Sequence, residues 1–356
     1  MQLVASIHRW AGGLIGLLLA LLGLTGALLL WKGAWLRLTV SAEAVVETDP
    51  ATLGALTQNI LAGSTQTPTS IVFANSDIAL HTVRTGPDSG FYADASGSAI
   101  TSWDSIWARS EIFLFDLHHH LLVGEAGETV SGIAGLVGLG FIITGLILWW
   151  PTRKTFRLRL WPARMTRPAI IRQHRDMGVI LAPLLFLTML TGVMMTLKPV
   201  AELLLSPFSS AAEMESALEP PKVAAGPADN ADWPRITAVA QARFPDATIR
   251  IIGLPRKAGD PVAIRLKRPG EWHNNGRTII WFDGATGNLL RAKDALAMPQ
   301  GLQLFNLTYP LHAAKVGGTA YKVVQTIAGL ALALLGSLAV WSFWFRRKAI
   351  PKPIKP

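Results

Sequence analysis

Histidines are the residues best suited to chemistry in this chain, because the sequence contains no cysteine. Four of the eight histidines fall into two repeated patterns. In the first pattern, a histidine is followed by glycine at offset 4 and by Thr-Gly at offsets 17 and 18. It occurs twice without a gap, at His8, Gly12, Thr25, Gly26 and at His174, Gly178, Thr191, Gly192.

The second pattern begins with Leu-His and places glycine at offset 6, Ile-Ala-Gly-Leu from offset 15 and tryptophan at offset 32 from the histidine. It occurs at His118 and again at His312. Ungapped agreement at this many positions predicts a tandem duplication of one unit. The duplication supplies two histidine pairs, and each pair takes one residue from each half.

Two neutral imidazoles on facing helices suit the two axial positions of a haem iron. The pairing predicts two haems, an inner one between His8 and His174 and an outer one between His118 and His312. Both must be b-type, because covalent attachment needs cysteine. Offsets 4 and 18 return to the same helical face, so glycines share the histidine stripe and leave room for a flat ring. These predicted haem-packing residues are Gly12, Gly26, Gly178 and Gly192.

Simpler explanations exist for each histidine. An interfacial histidine can extend toward water, and glycine stripes often serve only helix packing. Zinc or another metal is disfavoured, since no carboxylate is spaced with the paired histidines to close a site. His119 and His120 are interpreted either as alternative ligands or substrate contacts, or as solvated helix. His81 and His273 match nothing between the halves and are expected at the surface.

The elements that position these histidines are four apolar stretches long enough to cross a bilayer. Tryptophan occurs at several of their ends, as in interfacial belts. The predicted fold is therefore a membrane α-helical protein, with a four-helix transmembrane bundle built from a tandem two-helix repeat. The predicted spans are 1–31, 128–152, 174–197 and 321–345.

The charge distribution predicts the topology. Residues 151–175 contain eight basic and no acidic side chains, and the tail after Phe345 contains five basic ones. The positive-inside rule therefore places the loop 153–173, the tail 346–356 and both termini in the cytoplasm. The segments 32–127 and 198–320 are predicted to be periplasmic. The net charge of +10 thus reflects topology, and no nucleic-acid partner is expected.

Both periplasmic segments are predicted to be α+β modules. The first is predicted to contain a helix near 51–62, strands near 70–74, 78–84 and 90–93, and a turn at Asp94–Gly97. The second is predicted to contain a helix at 232–244 and strands at 247–253, 261–267 and 278–282, after a mobile connector at 206–230. An unbroken helix from His118 to Trp150 would exceed the hydrocarbon core, so breaks are predicted at Gly124–Gly127 and Gly317–Gly318.

The second module carries the most specific motifs. They are Ala242-Arg243-Phe244-Pro245-Asp246-Ala247, Pro255, Asp260-Pro261-Val262, Phe282-Asp283 and Thr286-Gly287. With the His-x3-Gly and Leu-His starts, they resemble the PepSY-associated transmembrane proteins, which include iron-regulated membrane proteins and ferric-siderophore reductases of the bacterial inner membrane. The first module lacks Phe-Pro-Asp and resembles a degenerate copy. The resemblance implies haem in the bundle and reduction of a ferric siderophore or other iron chelate on the periplasmic side.

Several functions are disfavoured by missing motifs. The sequence has no dinucleotide fingerprint and no P-loop, so electrons are expected from a cytoplasmic protein or a quinol. A permease is disfavoured, because no carboxylate or lysine lies inside a span. A periplasmic binding or regulatory protein anchored in the lipid bilayer remains the alternative. Basic residues of the second module either draw an anionic chelate or form a solvated strand face: Arg256, Lys257, Arg265, Lys267 and Arg268.

Overall fold

The computed structural model describes residues 1–40, 46–223 and 231–345. The basic tail 346–356 and the end of the predicted connector, 224–230, lie outside the described residues. The helices are α1 Gln2–Leu29, α2 Lys32–Leu36, α3 Pro50–Gly63, α4 Ser110–His120, α5 Gly124–Trp149, α6 Arg167–Thr196, α7 Lys198–Leu205, α8 Ala211–Leu218, α9 Trp233–Arg243, α10 Gln300–Phe305, α11 Thr308–His312 and α12 Gly318–Trp344. The strands are β1 Ser70–Val72, β2 His81–Arg84, β3 Gly90–Ala93, β4 Ala99–Trp103, β5 Thr248–Gly253, β6 Val262–Lys267, β7 Thr278–Phe282 and β8 Leu289–Lys293.

One compact unit contains residues 1–30, 118–197 and 319–345 of the described chain. It holds the four helices that are long and apolar enough to cross a membrane, which are α1, α5 with its short 3-10 extension, α6 and α12. Backbones of α1 and α12 approach closely at two glycine pairs. A Cβ at Gly336 would lie 2.3 Å from the Gly16 carbonyl oxygen, and one at Gly23 would lie 2.6 Å from that of Gly329. Small residues at such contacts are typical of membrane helix packing.

Both predicted breaks occur. Helix α4 ends at His120, Leu121 and Leu122 have φ of 51° and 64°, and α5 begins at Gly124 with φ of 63°. A leucine in this left-handed region costs about 1–2 kcal/mol, so the surrounding contacts must hold the turn. In the second half, α11 ends at His312, positive φ recurs at Ala314 and Gly317, and α12 begins at Gly318 with φ of 59°.

The other unit contains residues 31–117 and 198–318. Within its described residues, eight strands form one antiparallel sheet in the order β4-β3-β2-β1-β5-β6-β7-β8. Each half of the chain contributes a helix, α3 or α9, followed by four strands, and the halves join where Ile71 of β1 faces Ile252 of β5. Leu53, Ile236 and Ile249 belong to the buried core that packs these helices on the sheet.

The structure departs from the expectations for this unit in three respects. Strands β4 and β8 were not expected; their sequences AITSW and LLRAK alternate poorly and carry few β-branched residues in series. Residues 211–218 of the predicted connector form α8, because Ser210 and Glu213 cap its first turn reciprocally. The surface positions expected for His81 and His273 are also wrong.

His81 is only 1% exposed, since it occupies an inward position of β2, where burial alternates along the strand. Its Nδ1 accepts a hydrogen bond from the Ala74 amide at 3.1 Å, and burial lowers its pKa to about 4. His273 is 7% exposed and stacks on Tyr309 with ring centroids 5.0 Å apart. Burial, reinforced by nearby cations, lowers the His273 pKa to about 3.

Candidate functional site

A cavity of about 700 Å³ lies among α1, α5, α6 and α12 of the helical unit. Most of its wall is apolar, with Leu19, Phe141 and Leu335 among the contributors. His8 of α1 and His174 of α6 both line it, so the structure brings together the two residues that the sequence pairs at this end of the bundle. A cavity of this volume is within the range of cofactor sites.

The two imidazoles lie close enough together to share one metal. Their ring centroids are 6.1 Å apart, and the ring planes are 88° apart in an edge-on arrangement. Metal–imidazole bonds are about 2.0–2.1 Å, so two imidazoles bound to one metal would have centroids up to roughly 6 Å apart. The separation of His8 and His174 would therefore allow both residues to hold one metal.

Hydrogen bonds orient both rings. The Thr144 hydroxyl donates to the Gly140 carbonyl oxygen at 2.7 Å, and its oxygen lies 2.8 Å from Nδ1 of His8. Since the hydroxyl hydrogen is engaged by Gly140, the Thr144 oxygen accepts from Nδ1–H of His8. The lone pair is then on Nε2, which is the atom a metal would use. A ring N–H of His174 donates a hydrogen bond to the backbone carbonyl oxygen of Leu335.

The glycines of the histidine stripes divide into two groups. Gly12 and Gly178 line the cavity, and a Cβ at either position would meet nothing within 4 Å. Gly12 and Gly178 therefore leave open space in the cavity. Gly16 and Gly23, which are not part of the histidine pattern, serve the close contact of α1 with α12. Gly26 and Gly192 are outside the cavity lining; a Cβ at Gly26 would lie 3.0 Å from Cε1 of His118.

Charged side chains at the cavity are all basic among the described residues: Arg9, Arg167 and Arg175. Arg175 donates from Nε to Asp176 at 2.7 Å, and Asp176, which is fully buried, also pairs with Arg159. A slot with apolar walls and guanidinium groups on its lining suits a flat apolar ring that carries carboxylates, as haem does. With no carboxylate and no third histidine in that described lining, a zinc site lacks its usual ligand number.

His118 is oriented in the same way as His8. The Thr25 hydroxyl donates to the Leu21 carbonyl oxygen at 2.8 Å, and its oxygen lies 3.0 Å from Nδ1 of His118. The same reasoning places the lone pair of His118 on Nε2. His312 ends α11 in the sheet-containing unit, and its pairing with His118 stays a prediction.

His119 and His120 lie beside Glu128, a residue that the sequence did not single out. Ligand atoms of the three side chains lie within 4.8 Å of one another. Among the described residues they form the one group of three or more histidines and acids with this proximity. Sequence spacing alone did not indicate this group, because Glu128 comes close to His119 and His120 only through the turn after α4.

The basic residues of the second module are not equally available. Arg268 pairs with Asp246 at 2.9 Å and with Asp294 at 2.6 Å. Arg265 is partly buried, and desolvation lowers its pKa to about 10. Arg256 and Lys257 are exposed in the turn between β5 and β6. An anionic ligand of this module would therefore meet the turn first.

The family model described as PepSY-associated TM region matches residues 5–347 of the chain. No match was found among curated proteins.

Proposed function

Because the chain belongs to the family with a PepSY-associated transmembrane region, we propose that it is a haem-containing electron-transfer protein of the bacterial inner membrane. It reduces ferric siderophores or other iron chelates on the periplasmic side. The observation that carries the proposal is the placement of His8 and His174 on the lining of one apolar cavity, 6.1 Å apart between ring centroids.

The residues have separate roles in this proposal. His8 and His174 hold the inner haem b, which supplies one-electron chemistry at an apolar site. Thr144 keeps the metal-binding nitrogen of His8 deprotonated, and the cavity supplies a mostly apolar lining. Gly12 and Gly178 provide the open space for the ring. A haem of this kind needs no cysteine, and the chain has none.

A second haem b at His118 and His312 extends the proposal to the other membrane face. Thr25 and Gly26 position His118 as Thr144 positions His8. Two sites on opposite faces follow from a tandem duplication, and a path across the membrane is their natural use. The electron donor is proposed to be a cytoplasmic protein or a quinol, and the lipid bilayer is a further partner.

Haem content per chain tests the proposal. The full chain, purified in detergent after expression with ample haem, should be red with a reducible absorption band. His8→Ala and His174→Ala should each lose the inner haem. Arg172→Ala, a change at an exposed position of α6, the helix that carries His174, should keep it. Unchanged haem content and spectra in both histidine variants would refute the ligation. A colourless wild-type protein would favour a PepSY-type binding or regulatory protein without redox activity.

The substrate is tested separately. Chemically reduced protein is mixed with ferric siderophores in an anaerobic stopped-flow instrument, and the absorption spectrum is followed with a ferrous-iron indicator. Reoxidation of the protein with matching release of ferrous iron supports reductase activity. Reoxidation by oxygen alone, with no response to any ferric chelate, leaves haem binding standing and rejects the substrate.

A further inference from the structure

The turn between α4 and α5 assembles a cluster of metal-ligand side chains outside the cavity. Nδ1 of His119 lies 2.8 Å from Nε2 of His120, and Nε2 of His119 lies 3.6 Å from Oε1 of Glu128. The His119 and His120 ring centroids are 4.3 Å apart, although neighbouring residues within a helix point about 100° apart. The end of α4 at His120 removes that restriction.

The backbone geometry of the turn is what brings Glu128 to the histidines. In a continuous helix, an offset of 8 or 9 residues would separate them by about 12–14 Å along the axis. Positive φ at Leu121 and Leu122 reverses the chain instead. The return requires Gly127, because a Cβ there would lie 1.6 Å from the His120 carbonyl oxygen. The Ser131 hydroxyl also lies within hydrogen-bonding distance of the His119 carbonyl oxygen, at 3.2 Å.

We propose that His119, His120 and Glu128 bind a divalent first-row transition ion. Two imidazoles and one carboxylate form the donor set that proteins use for Fe²⁺ with open coordination positions, and for catalytic Zn²⁺. The side chains of His119 and Glu128 are 34% and 29% exposed, so water or an external ligand can reach the open positions.

The present arrangement needs only side-chain rotation to hold an ion. His119 uses Nδ1 towards His120 and Nε2 towards Glu128, and one imidazole binds a metal through only one of these nitrogens. With one ligand atom taken from each of the three residues, those atoms already lie within 4.8 Å of one another. Two donors at about 2.0–2.1 Å from one metal lie roughly 3–3.5 Å apart, so modest rotations of the side chains suffice. Glu128 supplies the negative charge that the paired histidines of the haem proposal lack. The ion site goes beyond the proposed function and does not depend on haem being bound.

The test is metal binding by the full chain in detergent after removal of bound metal with a chelator. Titration with Co²⁺, followed by displacement with Zn²⁺ or anaerobically with Fe²⁺, should reveal one site per chain. Glu128→Gln removes the anionic donor at constant size and should weaken Zn²⁺ binding by about 10–100-fold or more, since even outer partners of ligands cost that much. His119→Ala combined with His120→Ala should abolish binding.

Glu125→Gln is the matched control, because Glu125 is exposed one turn earlier in α5 and does not belong to the cluster. It should bind as the wild type does. Equal affinities in Glu128→Gln and Glu125→Gln, or a wild type that binds none of the three ions, would overturn the proposal. The visible spectrum is recorded on the same samples. Binding that depends on Glu128 in a chain without haem supports the ion site while rejecting the proposed function.

Discussion

The hydroxyl oxygen of Thr144 lies 2.8 Å from Nδ1 of His8, and its hydrogen is directed to the Gly140 carbonyl oxygen. This arrangement fixes the tautomer of His8. Thr144→Val should keep the volume but remove the acceptor, so the inner haem should dissociate about 10–100-fold faster. Haem transfer to a scavenger globin measures the rate. Thr129→Val, an exposed change on the same helix, should leave the rate unchanged; equal rates in both variants would remove Thr144 from the site.

Filling the cavity should exclude the inner haem without touching a ligand. Gly178→Leu projects a side chain into space where a Cβ meets nothing within 4 Å. With two haems predicted per chain, haem content should fall to about half. Gly63→Leu is the control, because a Cβ there is equally unobstructed and Gly63, at the exposed end of α3, lies outside the helices that line the cavity. Full haem content in Gly178→Leu would show that the cavity is not the haem site.

Topology can be tested cleanly because the chain has no cysteine. Single cysteines are introduced at exposed positions as Lys154→Cys, Asp88→Cys and Ser216→Cys. In intact cells with a permeable outer membrane, an impermeant maleimide should label Asp88→Cys and Ser216→Cys but not Lys154→Cys. Lysed cells should label all three. Labelling of Lys154→Cys in intact cells would invert the orientation derived from the basic loop.

Acidification should destabilise the sheet-containing unit through His81. The unfolded chain binds a proton near the ordinary pKa of 6.5, whereas burial lowers the folded pKa to about 4. As pH falls from about 6.5 to about 4, His81 is protonated in the unfolded chain before it is protonated in the folded protein. The free energy of unfolding should therefore decrease by on the order of 1–3 kcal/mol over this pH range. His81→Gln should flatten this dependence in thermal unfolding of the full chain, followed by circular dichroism. If stability depends on pH equally in His81→Gln and in the wild type, His81 is not the source of the pH dependence.

Local signals explain which features could be predicted. The four apolar stretches and the helix breaks follow from hydropathy and from glycines such as Gly124, which act over a few residues. The pairing of His8 with His174 follows from the repeated spacing. Each of these features can be recognised from one stretch of the sequence, or from an alignment of two stretches, without knowledge of the tertiary structure.

Features that depend on tertiary geometry could not be predicted. Glu128 reaches His119 only because Leu121 and Leu122 adopt a conformation that leucine rarely adopts. Thr144 meets His8 across 136 residues, with no pattern that links them. His81 is buried because β2 lies between two other strands, and a histidine in a polar segment carries no sign of that position.

The pairing of β1 with β5 means that the sheet cannot be completed until the second half of the chain has been synthesised. Ser70 of β1 leaves the ribosome long before Thr248 of β5, with two membrane helices made in between. At about 5–20 residues per second, the first four strands and α3 wait roughly 10–35 s for the second half. During that delay β1 is an open edge, and the apolar face that α3 later shares with α9 is uncovered. The nascent protein is therefore most exposed to aggregation and proteolysis between its second span and its second module, a period that chaperones would have to cover.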